Sequence, residues 1–141
     1  MPHDGDPLAD EVVVVDASVV IALVASRSDA AARLAARLES ASLHAPVLLP
    51  VEVDSGIRGL VLGRRLSAEQ GTAARAAAHA LPIDLWPWEL LTDRAWELRE
   101  NLSSYDAGYV ALAERLNVPL LTGDARIARA AGARCTVEVF R

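Results

Sequence analysis

Four acidic residues of this 141-residue chain stand where chemistry can be done. Asp16 ends an apolar, β-branched run, Glu52 lies in the early turns of a helical pattern, Asp106 falls in the first turn of another, and Asp124 follows a Gly turn. Carboxylate oxygens suit hard cations, and Mg²⁺ prefers one or two carboxylates together with waters and substrate phosphates. Four converging acids can hold one such ion or two. A pair of ions can activate a water and stabilise the departing oxygen of a phosphodiester in line. Without metal the same charges repel one another and raise some of their pKa values. Plain structural roles stay open as well: Glu52, Asp106 and Asp124 are each well placed at a helix start, where the dipole favours an acid. Asp16 has fewer such uses, because a carboxylate closing a fully apolar strand is costly unless something requires it.

The elements that must position these acids follow from periodicity. Apolar or β-branched runs predict strands over 12–15, 43–45, 81–86, 119–122 and 135–140. Helical spacing predicts helices over 29–40, 47–62, 67–80, 89–100, 105–116 and 124–131. Ser67 and Gln70 have capping-box spacing, and Tyr105, Tyr109, Leu112, Ala113 and Leu116 make the apolar stripe of the helix that carries Asp106. Alternating strands and helices specify an α/β fold with a parallel sheet covered on both faces. Ligands gather in such sheets at the carboxyl ends of the strands, where the strand order reverses, and Asp16 and Asp124 both follow strands.

Length and composition bound the reading. One domain is expected, residues 12–141, preceded by an acidic extension over residues 1–11 that carries no Lys or Arg and so lacks the basic start of a secretory signal. The apolar run over 12–25 is broken by Asp16 and is too short to span a bilayer, so no membrane partner is expected and the location is cytoplasmic. Cys135 is the sole cysteine, which excludes an internal disulfide and a cysteine-based zinc site. A net charge of −5 does not announce a nucleic-acid binder, although all 14 basic residues are Arg, which can form a local phosphate-binding patch. Arg58, Arg64 and Arg65 after Glu52, and Arg126 and Arg129 after Asp124, can flank a groove and contact RNA phosphates, or equally form a solvated face. Trp86, Trp88 and Trp96 offer stacking surfaces, or core and dimer contacts.

The segments Val-Val-Val-Asp-Ala-Ser (13–18), Pro-Val-Glu-Val (50–53), Leu-Ser-Ser-Tyr-Asp-Ala-Gly-Tyr-Val-Ala-Leu-Ala-Glu (102–114) and Leu-Leu-Thr-Gly-Asp-Ala-Arg (120–126) resemble the PIN-domain family in order and approximate spacing. More narrowly they look like the VapC toxins of bacterial toxin–antitoxin pairs. The resemblance implies a three-layer α/β/α fold around a central parallel sheet of about five strands. It further implies a Mg²⁺- or Mn²⁺-dependent ribonuclease whose acidic quartet is Asp16, Glu52, Asp106 and Asp124, with Asp16 and Asp106 as direct metal ligands. Ser18 and Thr122 match the hydroxyl residues beside the family's acids, where they hold a carboxylate or a phosphate, or else cap backbone at a strand end. An RNA substrate, a homodimer and a VapB-like antitoxin are implied as partners. A haloacid-dehalogenase-type phosphatase needs a second Asp where Ser18 stands, and a receiver domain needs a Lys that this chain lacks. The alternative is a PIN-fold module that binds RNA or protein without turnover.

Overall fold

The structure, a computed structural model, describes residues 10–141. The acidic extension therefore lies outside the described residues except for Asp10 and Glu11, and Glu11 already belongs to the first strand. Five parallel strands make one sheet: β1 Glu11–Val15, β2 Ala41–Pro46, β3 Ile83–Trp86, β4 Leu120–Thr122 and β5 Val137–Val139. Their order is β3-β2-β1-β4-β5. Val13, Val14 and Val15 are fully buried, as a continuous β-branched run requires when both faces of a strand are covered. From β1 the chain winds outward to β3 and then returns to the other flank of β1 for β4 and β5. The order thus reverses between β1 and β4, and this is the switch point at which α/β sheets open a crevice.

Helices flank the sheet in the expected three layers. They are α1 Ala17–Ala25, α2 Asp29–Leu38, α3 Leu49–Leu62, α4 Ala68–Ala80, α5 Thr92–Glu97, α6 Ser104–Leu116 and α7 Ala125–Ala128. The apolar run over 12–25 is a strand and a helix joined at Asp16. Periodicity leaves α1 unassigned because nearly every face of it is apolar: it packs on α2, α3, α4 and β4. Among the described residues no helix is long and apolar enough to cross a membrane. The capping box of α4 is present, with the Ser67 hydroxyl accepting from the Gln70 N–H at 3.0 Å and Gln70 accepting from the Ser67 N–H at 2.8 Å.

Three segments differ from expectation. The stretch expected as a helix over 89–100 divides into a 3₁₀ turn at Trp88–Leu90 and the short α5, because Leu91, between them, turns fully into the core. The terminal helix shrinks to α7, and the last strand to three residues, so that half-buried Cys135 precedes β5. Tyr105, expected in the buried stripe of α6, is 59% exposed.

α6 is buried without interruption from Ala107 to Ala113, since it lies across β1, β2 and β4 with α5 behind it. Gly108 allows the close approach of the 3₁₀ turn: a Cβ there would stand 2.7 Å from Cζ3 of the Trp88 ring. Gly108→Val is therefore expected to cost about 1–3 kcal/mol of stability through overpacking, visible as a lower midpoint of urea unfolding. An unchanged midpoint would show that the α6–Trp88 contact yields freely.

Candidate active site

All four acids lie at helix starts on the carboxyl edge of the sheet. Asp16 closes β1 and caps α1, Glu52 is in the first turn of α3, Asp106 is in the first turn of α6 behind the cap Ser103, and Asp124 follows β4 and caps α7. In a parallel sheet, helices that follow strands begin at that same edge, as α1, α3 and α7 do, and α6 begins there too because it leads back into β4. Of the helix-start roles open in the sequence, capping by the side chain is real for Asp124, and Asp16, not expected in such a role, caps α1 as well; neither excludes chemistry.

Asp16 is the centre of the polar network and is 7% exposed. The Gly123 N–H donates to the Ser18 hydroxyl at 2.9 Å, and the Asp124 N–H donates to the Thr122 hydroxyl at 3.0 Å. Each hydroxyl thus accepts from the β4–α7 turn and has its one proton left for Asp16: Ser18 donates to Oδ1 and Thr122 to Oδ2. The Val19 N–H adds a third donor at 3.2 Å. Of the two roles open for Ser18 and Thr122, holding the carboxylate is the one seen. Fully buried Tyr109 donates its phenol proton to Oε1 of Glu52 at 2.8 Å. This contact was not legible in the sequence, where Tyr109 reads as core; its only signal is its position one turn after Asp106. Asp124 accepts from the backbone N–H of Arg126 at 2.9 Å and from its guanidinium at 2.7 to 3.2 Å.

The electrostatics record the convergence. Burial pushes the Asp16 carboxyl up against the pull of its three donors. Burial also raises Glu52, as do the charges of Asp106 and Asp16, while Tyr109 pulls it down. Asp106 is raised by burial and then by the charges of Asp124 and Asp16. Asp124 alone is lowered, chiefly by its bonds to Arg126. Among the described residues no group of three or more His, Cys, Asp or Glu side chains stands close enough together to hold a metal ion. Asp16, Glu52 and Asp124 are each engaged by nearby donors: Ser18 and Thr122, Tyr109, and Arg126 respectively. The donor set is all carboxylate and hydroxyl oxygen, it is short of positive charge, and it fits a hard divalent cation.

The arginines are divided by the fold. Arg126 stands at the acids, 81% exposed along its side chain. Arg64 and Arg65 lie just past the other end of α3, about 18 Å along the axis from Glu52, where Arg64 takes a left-handed φ of 60°. Arg58 shares a helix face with Asp54, which pairs with Arg75 and His79 of α4. The tryptophans are divided too: Trp86 donates to Nδ1 of His44 at 3.0 Å, Trp88 packs on Gly108, and Trp96 is 67% exposed beneath Arg99.

A parallel α/β fold with four acids at its switch point is the arrangement of a known family, and residues 13–133 match the model of the PIN domain. The chain belongs to the PIN-domain family. Among its relatives, Ribonuclease VapC1 of Mycobacterium tuberculosis is 42% identical over 132 residues, which cover 91% of this chain and 97% of that protein. Two solved structures share the fold. VapBC2 from Rickettsia felis, bound to a DNA fragment from its promoter, has a TM-score of 0.66 at 12% identity and covers 92% of this chain and 99% of its own. A toxin–antitoxin complex from Klebsiella pneumoniae has a TM-score of 0.63 at 20% identity, over 89% and 96%.

The raised carboxyls set a pH dependence. The folded chain holds protons on Asp16, Glu52 and Asp106 at pH values where the unfolded chain has lost them. Their contribution to stability is complete below the ordinary carboxylate pKa and is lost as pH rises through the raised values. Metal-free Asp106→Asn should therefore melt a few degrees above the parent at pH 7, with the gap narrowing as the pH is lowered through the carboxylate range. A variant that melts at or below the parent at pH 7 would contradict the repulsion.

Proposed function

We propose that this chain is a Mg²⁺- or Mn²⁺-dependent endoribonuclease, the toxin component of a toxin–antitoxin pair, and that Asp16, Glu52, Asp106 and Asp124 are its catalytic and metal-binding residues. The observation that supports the reading is the placement of these four acids at helix starts on the carboxyl edge of the sheet, near enough that the charges of Asp16 and Asp106 act on Glu52 and those of Asp16 and Asp124 act on Asp106. The name Ribonuclease VapC1 on a relative at 42% identity supports the activity, and the solved toxin–antitoxin complex of the same fold supports the toxin role. A VapB-like antitoxin, a homodimer and a cytoplasmic location are parts of the same proposal. The solved toxin–antitoxin complex of the same fold supports the antitoxin.

When bound, a divalent ion supplies positive charge that acidifies a water and offsets charge on the leaving oxygen. Asp16 and Asp106 are the residues to hold it, with Asp124 completing the set. Ser18 and Thr122 fix both oxygens of Asp16, so its lone pairs have a set direction before any substrate arrives. Tyr109 occupies Oε1 of Glu52 and leaves Oε2 free to position or accept a proton from a water. Exposed Tyr105, next to Asp106, offers a face on which a base of single-stranded RNA can stack. Arg126 is the arginine placed to meet a phosphate there.

The test is incubation of total cellular RNA with antitoxin-free protein in Mn²⁺ or EDTA, alongside Asp16→Asn. Discrete fragments that need both the metal and Asp16 are expected; RNA left intact under every condition favours a binding module without turnover. In the same assay Thr122→Ala should lower the cleavage rate by about 10- to 100-fold, because Asp16 loses one of its orienting donors. A rate within twofold of the parent would remove Thr122 from the machinery.

A further inference from the structure

We propose that Arg126 is a built-in counter-cation of the acidic site, which closes Asp124 in the metal-free protein and is released to an RNA phosphate when a divalent ion takes its place. The inference rests on the metal-dependent reading above. Its basis is a fork contact: Nε lies 3.1 Å from Oδ1 and 3.2 Å from Oδ2 of Asp124, and Nη2 lies 2.7 Å from Oδ2. The Arg126 backbone N–H takes Oδ1 again at 2.9 Å. Both oxygens of the fourth acid are thereby occupied by one residue two positions along the chain.

Three features make this contact exchangeable rather than structural. The Arg126 side chain is 81% exposed and, among the described residues, makes no hydrogen bond except to Asp124, so nothing else anchors it. Exposed ion pairs hold weakly, and a divalent ion offers Asp124 a stronger partner. The backbone N–H bond that starts α7 does not involve the guanidinium and survives its departure. Arg126 also lies within electrostatic reach of Asp106, so its positive charge serves the cluster as well as one acid.

When the guanidinium is displaced, its five donors remain at the mouth of the site beside the acids, and a planar fork matches a phosphate as well as a carboxylate. Occupation of the site by metal and capture of the RNA backbone are then coupled through one side chain. Arg126 acts on the acids by positioning and charge, and it takes no proton.

The two roles predict opposite changes in one variant. Mn²⁺ titrated calorimetrically into Arg126→Ala should bind about two- to tenfold more tightly than to the parent, because a competitor and a like charge are gone. Binding of a fluorescein-labelled single-stranded oligouridylate, measured by anisotropy with Ca²⁺ present, should weaken, and its log–log salt slope should fall by about 0.7. Arg126→Lys, which keeps the charge without the fork, should lie between the two for Mn²⁺. Parent protein that binds Mn²⁺ while a folded Arg126→Ala binds it equally or more weakly would overturn the exchange and leave the ribonuclease reading standing. Parent protein that binds no Mn²⁺ would overturn both.

Discussion

Carboxylates held close together at the edge of a sheet repel one another, and in a half-buried setting water screens them poorly. The rest of this site can be read as the fold's answer to that repulsion. Each of the four acids stands in the first turn of a helix or caps it, at the positive end of the backbone dipole. Asp16, the most buried, also receives three hydrogen bonds, Glu52 receives one from Tyr109, and Asp124 has an arginine. Asp106 has the least help and carries the charges of two neighbours. Burial nonetheless keeps Asp16, Glu52 and Asp106 above their ordinary pKa, and neighbouring acidic charges add to the rise at Glu52 and Asp106. A site that is still short of positive charge is suited to receive a cation.

The same network ties the site to the core. Ser18 on α1 and Thr122 on β4 both reach Asp16 while accepting from the turn before α7, so β1, β4 and the starts of α1 and α7 share one carboxylate. On the other side of the sheet's edge, α6 places Asp106 in its first turn and Tyr109 one turn later, and through Tyr109 it fixes Glu52 on α3. α6 is enclosed by the sheet and α5 from Ala107 to Ala113, so the buried stretch directly after Asp106 anchors it. Precision at the acids therefore derives from packing far more than from the loops between elements.

Much of this is legible in the sequence. The Val run identifies β1, the Ser67 and Gln70 pair marks the start of α4, and Asp16, Glu52 and Asp124 fall where strands pass into helices. α1 escapes because a helix covered by three others shows no 3.6-residue contrast. The division of the segment over 89–100 escapes because the burial of Leu91 is a tertiary event that local spacing does not encode. The Tyr109–Glu52 bond joins residues 57 positions apart, and only the folded chain brings them together. Among the arginines, sequence proximity to an acid succeeds for Arg126, two residues from Asp124, and fails to bring Arg64 and Arg65 to Glu52, because a helix carries them away along its axis.

The proposed cation site is made by the four oxygen-donor acids at the β1/β4 switch point. Its most direct test is a crystal of the protein grown with Mn²⁺, with anomalous diffraction recorded to locate the ion. An anomalous peak is expected within about 2.0–2.3 Å of carboxylate oxygens of Asp16 and Asp106, with Asp124 and Glu52 within reach of its remaining ligands. A well-ordered site with no peak there, or Mn²⁺ bound only elsewhere on the molecule, would contradict it.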